Sequence, residues 1–285
     1  MLDREEYIEQ AYFFRNYRER LEEDVPSQEI LQSIQEEVLA TTRLPMAIDI
    51  LRGEVLLKGK VSTGMAVLNH YFTPFQTFIF SRAEDEASKF DQQTALLILE
   101  REATYRTEER YKTAGLFIYH FECLARNRLG YDEGLAAVAK DPAYSPQWRE
   151  WINRLRLQVG NVEFSEFLYY RSEEFLEERR RKTPDYQPNV PLLFGRPEGR
   201  IARANRGKDP LFLFGALQRQ LGYPAIPRIK RESDYRIHPE IEARLQRLEK
   251  RLGLMEAEQK GKLDLSQFYQ KTPPTFTDEG IAKKP

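Results

Sequence analysis

The chain has three histidines and one cysteine, and two of these residues lie close together in the segment LFIYHFECLA. His120 and Cys123 are three positions apart, so in a helix they share a face and can form a thiolate–imidazole pair. Apolar residues surround both of them, however, and a thiol in apolar surroundings has a raised pKa and little reactivity. We therefore predict that His120 and Cys123 have a structural role.

Metal and cofactor chemistry has little support in the sequence. A single cysteine excludes an internal disulfide and a zinc site built on paired cysteines. His70 and His120 could meet in a helical bundle, but neither belongs to the Glu-x-x-His pair of a bundle carboxylate–metal site. We predict no catalytic, metal or cofactor-binding residues. An enzyme with a site near His70 and His120 is the second alternative, because bundle-core sites leave little trace in one sequence.

The segment 191–224 contains two similar apolar blocks, PLLFG and PLFLFG, with RIARANRGK between them. The RGKD sequence at 206–209 does not form a phosphate-binding loop, which requires the spacing G-x-x-x-x-G-K-[ST]. Ala202 stands where the first glycine is needed, and the Asp209 carboxylate stands where a hydroxyl should contact magnesium. We predict that the two apolar blocks fix an irregular arm to a helical body.

Five cations lie between and beside these blocks: Arg196, Arg200, Arg203, Arg206 and Lys208. Together with nearby phenylalanines they have the composition of a surface that binds nucleic acid or another polyanion. A protein surface is the other interpretation, because residues 1–125 carry 14 basic and 22 acidic side chains (net −8), whereas residues 191–285 carry 19 and 12 (net +7). The charge distribution favours contact between the arginines and the acidic N-terminal helices.

A regular apolar stripe follows near the C-terminus. Its members step by four, three, four and three residues, as in a coiled coil: Ile241, Leu245, Leu248, Leu252 and Met255. Two heptads are fewer than a secure coiled coil needs, so docking of an amphipathic helix on its own domain explains the stripe as well as self-association does.

The remaining patterns predict a mainly α fold. Residues 1–182 have helical periodicity and form a helical domain, in which Thr73-Pro74 is a helix start and residues 116–125 a buried helix. Residues 183–238 form a basic connector, rich in proline and glycine and packed on that domain, with one short helix near its second apolar block. An amphipathic helix at 239–260 and an extended tail at 261–285 complete the chain. Residues 50–61 are the one place where a strand pair is conceivable.

The chain has no apolar run long enough for a membrane span, and its N-terminus is acidic, unlike a signal peptide. We therefore expect a cytoplasmic protein without a membrane partner. The function expected from these patterns is non-catalytic: protein–protein interaction or assembly, with self-association through the C-terminal third. Association with nucleic acid through residues 196–208, and through the run from Arg179 to Lys182, is the first alternative; the same run also suits the negative end of a helix dipole.

Overall fold

The computed structural model describes residues 2–85, 87–109 and 111–228, together with Arg244, Leu248 and Leu252. Residues 1–229 form one compact unit and residues 230–285 a second one. The described part of the first unit consists of helices, and these are α1 (Arg4–Glu22), α2 (Ser27–Glu37), α3 (Leu44–Lys58), α4 (Val61–Val67), α5 (Pro74–Ala83), α6 (Gln92–Thr107), α7 (Thr113–Asn127), α8 (Tyr131–Ala139), α9 (Pro146–Gln158), α10 (Phe164–Tyr170), α11 (Glu173–Lys182), α12 (Arg196–Ala204) and α13 (Pro210–Leu221).

The mainly α fold is confirmed, and so is the predicted helix start at Thr73-Pro74. Thr73 is the N-cap of α5: its side chain accepts from the Gln76 amide, and the Gln76 side chain in turn accepts from the Thr73 backbone, which makes a complete capping box. Pro74 occupies the first turn, as expected. Residues 50–61 do not form a strand pair, because they belong to α3 and the start of α4.

Helix α7 lies at the centre of the unit and is buried along almost its whole length. It packs against α6, α8 and α13, while α1 packs along α6 on another side of the core. Aromatic rings fill this interior: Phe117 of α7 contacts the ring of Trp151 at a centroid distance of 4.8 Å, and Phe121 stacks on Phe164 at 3.8 Å. The prediction that residues 116–125 form a buried helix is confirmed.

Carboxylates of one helix cap the first turn of another in two places. Glu84, just after α5, accepts from the backbone amides of Val61 and Ser62 at 2.6 and 3.0 Å, at the start of α4. Glu6 of α1 accepts from the Arg43 amide at 3.0 Å, at the start of α3. A negative charge at the positive end of a helix dipole is favourable, so these contacts fix the orientation of neighbouring helices.

The segment 183–228 is more regular than expected, because it contains two helices, α12 and α13, rather than one. The two apolar blocks do hold it to the core: Phe194 and Phe214 are 2% and 3% exposed. Gly199 lets α12 approach the start of α11 closely, since a Cβ at this position would lie 2.2 Å from Ser172 Oγ. The boundaries proposed at 182 and 238 stay predictions, and 239–260 and 261–285 lie almost wholly outside the described residues.

Candidate functional site

A buried cluster of charged side chains joins α6, α7 and the loop after α8. Glu102 Oε1 accepts from Arg106 Nη2 at 2.7 Å and lies 2.8 Å from His120 Nε2. Arg106 Nη2 also donates to Asp141. Tyr144 Oη lies 3.0 Å from His120 Nδ1, and the imidazole stacks on Phe75.

The electrostatics of the cluster depend on Arg106. Burial opposes ionisation of Glu102, but Arg106 and the hydrogen bond with His120 outweigh it and lower the pKa of Glu102 to about 2. Burial also opposes the charge on Arg106, yet Glu102 and Asp141 raise the pKa of this guanidinium well above its usual range. Because an ionised carboxylate only accepts hydrogen bonds, His120 Nε2 carries a proton and donates it towards Glu102.

Three groups in this cluster are of the type that binds metals: the side chains of Glu102, His120 and Asp141 have ligand atoms within 4.8 Å of one another. The guanidinium of Arg106 bonds to both carboxylates, however, and a cation would have to displace it. The side chains of all four residues are completely buried. The cluster therefore acts as an internal ion-pair network that joins three elements of the fold.

The structure does not bring the candidate histidines together. His70 is exposed in the turn between α4 and α5, whereas His120 is buried among the groups just described. Cys123 is buried and forms no disulfide, and burial raises its pKa well above the usual range. His120 is not among the groups that affect the pKa of this thiol, because its two ring nitrogens bond to Glu102 and Tyr144.

Three arginines of the basic segment, Arg196, Arg200 and Arg203, lie on α12 and face the glutamates of α11. Glu174, whose side chain is 10% exposed, accepts a hydrogen bond from Arg200 at 3.2 Å and forms ion pairs with Arg196 and Arg203, each at 3.4 Å. Arg203 also donates to Glu178 at 3.2 Å, and Arg196 forms an ion pair with Glu177 at 3.0 Å. The prediction that these arginines face the acidic N-terminal helices is wrong for Arg196, Arg200 and Arg203, because carboxylates of the neighbouring helix neutralise them.

The other two candidate cations are placed differently. Arg206 lies with its guanidinium 4.2 Å from the ring centroid of Tyr169 and 5.8 Å from that of Tyr170, which is cation–π geometry. Lys208 is exposed in the turn between α12 and α13. The RGKD sequence therefore forms a surface turn, in which Gly207 has a positive φ of 67° and its amide donates to Glu163.

An exposed apolar face lies on α3. Met46 is 72% exposed, Ile50 37% and Leu57 80%, and Gly53 lies between them with no atom within 4 Å of where its Cβ would be. The opposite face, which includes Leu51, is buried against the core. Since soluble proteins usually hide such contiguous apolar surface, this face is a candidate for contact with another protein.

The predicted self-association stripe is described at two positions only. Leu248 and Leu252 are in helical conformation and are 50% and 58% exposed. Ile241, Leu245 and Met255 lie outside the described residues. The stripe therefore stays a prediction.

Sequence reasoning missed both main features of the unit. Glu102 and Arg106 are four residues apart in α6, just after the apolar run 95–99, and this spacing of opposite charges was the available signal for the internal network. The α3 face was missed because α3 has apolar residues on its buried face and on its exposed face alike. Its sequence therefore lacks the alternation of apolar and polar residues, every three to four positions, that identifies an amphipathic helix.

No helix in the described part of the chain is long and apolar enough to cross a membrane. No protein-family model matches the sequence, and neither a curated protein nor a solved structure matches it. A proposal for the function therefore rests on the surfaces of the described residues.

Proposed function

We propose that this protein is a non-catalytic interaction or assembly protein, and that it associates with a second copy of itself through α3. The observation that carries the proposal is the exposed apolar face formed by Met46, Ile50 and Leu57 around Gly53. Burial of apolar surface is the main favourable term in protein association. In contrast, the cluster best equipped for acid–base chemistry, around Glu102, is sealed from solvent.

The spacing of the α3 face suits pairing with an identical helix. Residues 46, 50, 53 and 57 step by four, three and four, which is the spacing of a helix–helix seam. A twofold axis that passes between residues 50 and 53 would pair two α3 helices antiparallel. Ile50 of one copy would then fill the space left by the missing side chain of Gly53 in the other, and Met46 would lie opposite Leu57. A twofold interface uses the same patch on both copies, so one self-complementary stripe is sufficient.

Light scattering of the full chain over a range of protein concentrations tests this proposal. We expect a dimer that dissociates when Leu57→Lys places a charge in the seam. Gly53→Gln should have the same effect by filling the notch, although it raises helix propensity by about 0.5–1 kcal/mol relative to glycine. Leu157→Lys is the matched control, because Leu157 is similarly exposed, at 74%, on α9.

Two results would contradict the proposal. A monomer at the highest concentration excludes self-association. A dimer that survives both Leu57→Lys and Gly53→Gln excludes the α3 interface, and Leu245→Asp with Leu252→Asp then tests the predicted C-terminal stripe. Thermal melting of each variant separates loss of the interface from loss of the fold.

Association with nucleic acid is the second candidate function, and the basic C-terminal end of α11 supports it. The last turn of α11 carries four consecutive cations, Arg179 to Lys182, and all four are exposed. Arg181 and Lys182 have no carboxylate within 4.0 Å among the described residues, unlike the arginines of α12. The α11 dipole also ends here, and its negative end is favourable for cations, so a structural role explains this turn as well.

Binding of generic single- and double-stranded DNA at several salt concentrations tests the second candidate. Phosphate neutralisation by these side chains predicts an affinity that falls steeply with salt. Replacing Arg181 and Lys182 with Gln should reduce that slope, whereas replacing Arg200, which pairs with Glu174, should have a smaller effect. An affinity that does not change with Arg181 and Lys182 would rule out this surface.

A further inference from the structure

A surface pocket of about 390 Å³ lies between α9 and α10. Helix α9 provides Trp151, Arg154 and Leu155 to its walls, and α10 with the residue after it provides Phe167, Tyr170 and Arg171. The volume falls within the range of small-ligand and side-chain pockets. These helices are separate from α3, so the pocket is independent of the interface proposed above.

The floor of the pocket is apolar and rigid. Trp151 and Leu155 are 3% and 1% exposed. The indole of Trp151 packs edge-on against Phe117, at 4.8 Å, and lies 5.4 Å from the ring of Phe194. The rim is exposed and aromatic, since Tyr170 is 46% exposed. A fixed aromatic floor with an accessible rim is suited to hold one apolar side chain that enters from solvent.

Two guanidinium groups stand beside this floor. Arg171 donates to the carbonyl oxygen of Pro191 at 3.3 Å, and no carboxylate lies within 4.0 Å of it among the described residues. Partial burial, and then the neighbouring charge of Arg154, lower the pKa of Arg171. Arg154 has one partner, Glu150, and both side chains of this pair are more than half exposed. An anion placed between the two arginines would relieve their mutual repulsion.

One carboxylate, Glu166, also lines the pocket. It forms no ion pair with Arg154 or Arg171 within 4.0 Å, and it is not among the groups that affect the pKa of Arg171. Glu166 therefore pairs with neither arginine, so an incoming anion would compete with the exposed Glu150, which pairs with Arg154. It also disfavours ligands with negative charge on all sides, such as a nucleic-acid strand.

We propose that this pocket binds an acidic peptide segment of a partner protein, with an apolar side chain on Trp151 and an adjacent carboxylate between Arg154 and Arg171. The pocket is open to solvent beside Tyr170, so a side chain of a peptide can enter it while the peptide backbone stays at the surface. Guanidinium groups pair well with carboxylates in bidentate geometry, and Arg171 has free donors for this contact. Tyr170, which is 46% exposed, supplies an accessible aromatic contact surface of the kind found in peptide-binding hot spots, and Trp151, which is 3% exposed, forms the floor.

The test uses two capped peptides that differ in one group, acetyl-Ala-Phe-Glu-Ala-amide and acetyl-Ala-Phe-Gln-Ala-amide. The chain has two tryptophans, and Trp151 lines the pocket, so intrinsic fluorescence of the full-length protein reports binding directly. Calorimetry provides an independent affinity. We expect the Glu peptide to bind about tenfold more tightly than the Gln peptide, as for a partly solvated charge pair.

Variants of the full-length protein assign the contacts. Arg171→Gln should weaken binding of the Glu peptide about tenfold and abolish the preference for Glu over Gln. Tyr170→Ala should weaken both peptides equally. Arg149→Gln is the matched control, because Arg149 is an exposed arginine of α9 that does not line the pocket. Far-UV circular dichroism and melting show whether each variant is folded.

Several results would overturn the proposal. Equal affinities for the Glu and Gln peptides, or a preference that survives Arg171→Gln, would exclude the charge contact. Free phenylacetate that binds as tightly as the peptide would indicate a small-molecule site, and an oligonucleotide that does so would indicate a polyanion site. Leu57→Lys in α3 should leave peptide binding unchanged, so failure of the proposed self-association and failure of this site give different results.

Discussion

Arg106 of α6 donates a hydrogen bond to Asp141, 35 positions later in the chain, and both side chains are completely buried. This contact ties the loop after α8 to α6, which also packs along α1. Asp141 is itself fixed, because its second oxygen accepts from the Ala143 amide at 2.9 Å. Within this network, the buried Arg106 guanidinium is therefore the direct polar link between α6 and the loop after α8.

Replacing Arg106 with Met should strongly destabilise the protein. The change leaves Glu102 and Asp141 buried as carboxylates without their cation, and breaking a buried pair in this way costs about 3–5 kcal/mol. Urea unfolding at neutral pH, followed by circular dichroism, measures the free energy of unfolding.

Arg154→Met is the control for this variant. Arg154 also pairs with a glutamate four positions away, but both side chains are more than half exposed, so its loss should cost about 0–1 kcal/mol. Equal free energies of unfolding for the two variants would contradict the assignment of Arg106 to a buried network.

Glu102 should make the stability depend on pH in the acid range. Its pKa is about 2 in the folded protein, against 4.5 as the reference value. A lowered folded-state pKa gives stability that is complete above the unfolded-state value and is lost as the pH falls through the folded-state value. The shift corresponds to about 3 kcal/mol, which should disappear between about pH 4.5 and pH 2.

Glu102→Gln removes this titration, so its free energy of unfolding should be lower than that of the wild type at pH 7 and should fall less between pH 4.5 and 2. Glu150→Gln, at an exposed position, should keep the slope of the wild type. The proposed role of Glu102 fails if its Gln variant has the same slope as the wild type.

Local signals in the sequence were sufficient for the elements whose causes are local. Thr73 and Pro74 are residue types that favour a helix start whatever surrounds them. The run around Phe117 is so apolar that it has to be buried in any packing arrangement. Residues 50–61 were ambiguous because Leu56 and Leu57 are apolar but exposed, so the burial period that distinguishes helix from strand is missing there.

Contacts between distant residues could not be predicted in the same way. The partner of the α12 arginines depends on how α12 packs on α11, and the net charge of whole segments does not contain that information. Likewise, Arg106 and Asp141 are far apart in the chain, and their contact is set by the packing of α6 on the loop after α8. A single sequence records neither of these relationships.

Gly199→Ala should destabilise the contact between α11 and α12. A Cβ at this position would lie 2.6 Å from the Ser172 Cβ and 2.7 Å from the Glu174 Cβ, so a helix has to shift. Such overpacking costs about 1–3 kcal/mol, which equals or exceeds the roughly 1 kcal/mol gained in helix propensity. Thermal unfolding measures the net effect.

Gly215→Ala is the matched control, since Gly215 also lies inside a helix, and its Cβ would have only the end of the Arg219 side chain nearby, at 3.7 Å. This variant should be as stable as the wild type or more stable. A Gly199→Ala protein that melts at or above the wild-type temperature would show that α12 does not approach α11 as closely as described.

Glu174→Gln should convert α12 into a basic surface. The Glu174 carboxylate forms ion pairs with Arg196, Arg200 and Arg203, and the neutral variant leaves these cations with fewer acidic partners. Polyanion binding depends on the number of phosphates that free cations neutralise, so we expect the affinity for generic DNA and its salt dependence to rise in the variant.

Filter binding or fluorescence anisotropy at several salt concentrations measures both quantities. Glu166→Gln is the control, because it removes the same charge from α10 without touching the α12 arginines. If Glu174→Gln and Glu166→Gln change DNA binding equally, net charge rather than the α11–α12 pairing governs it. If neither changes it, the arginines of α12 do not form a masked polyanion surface, and their role is to hold α12 on α11.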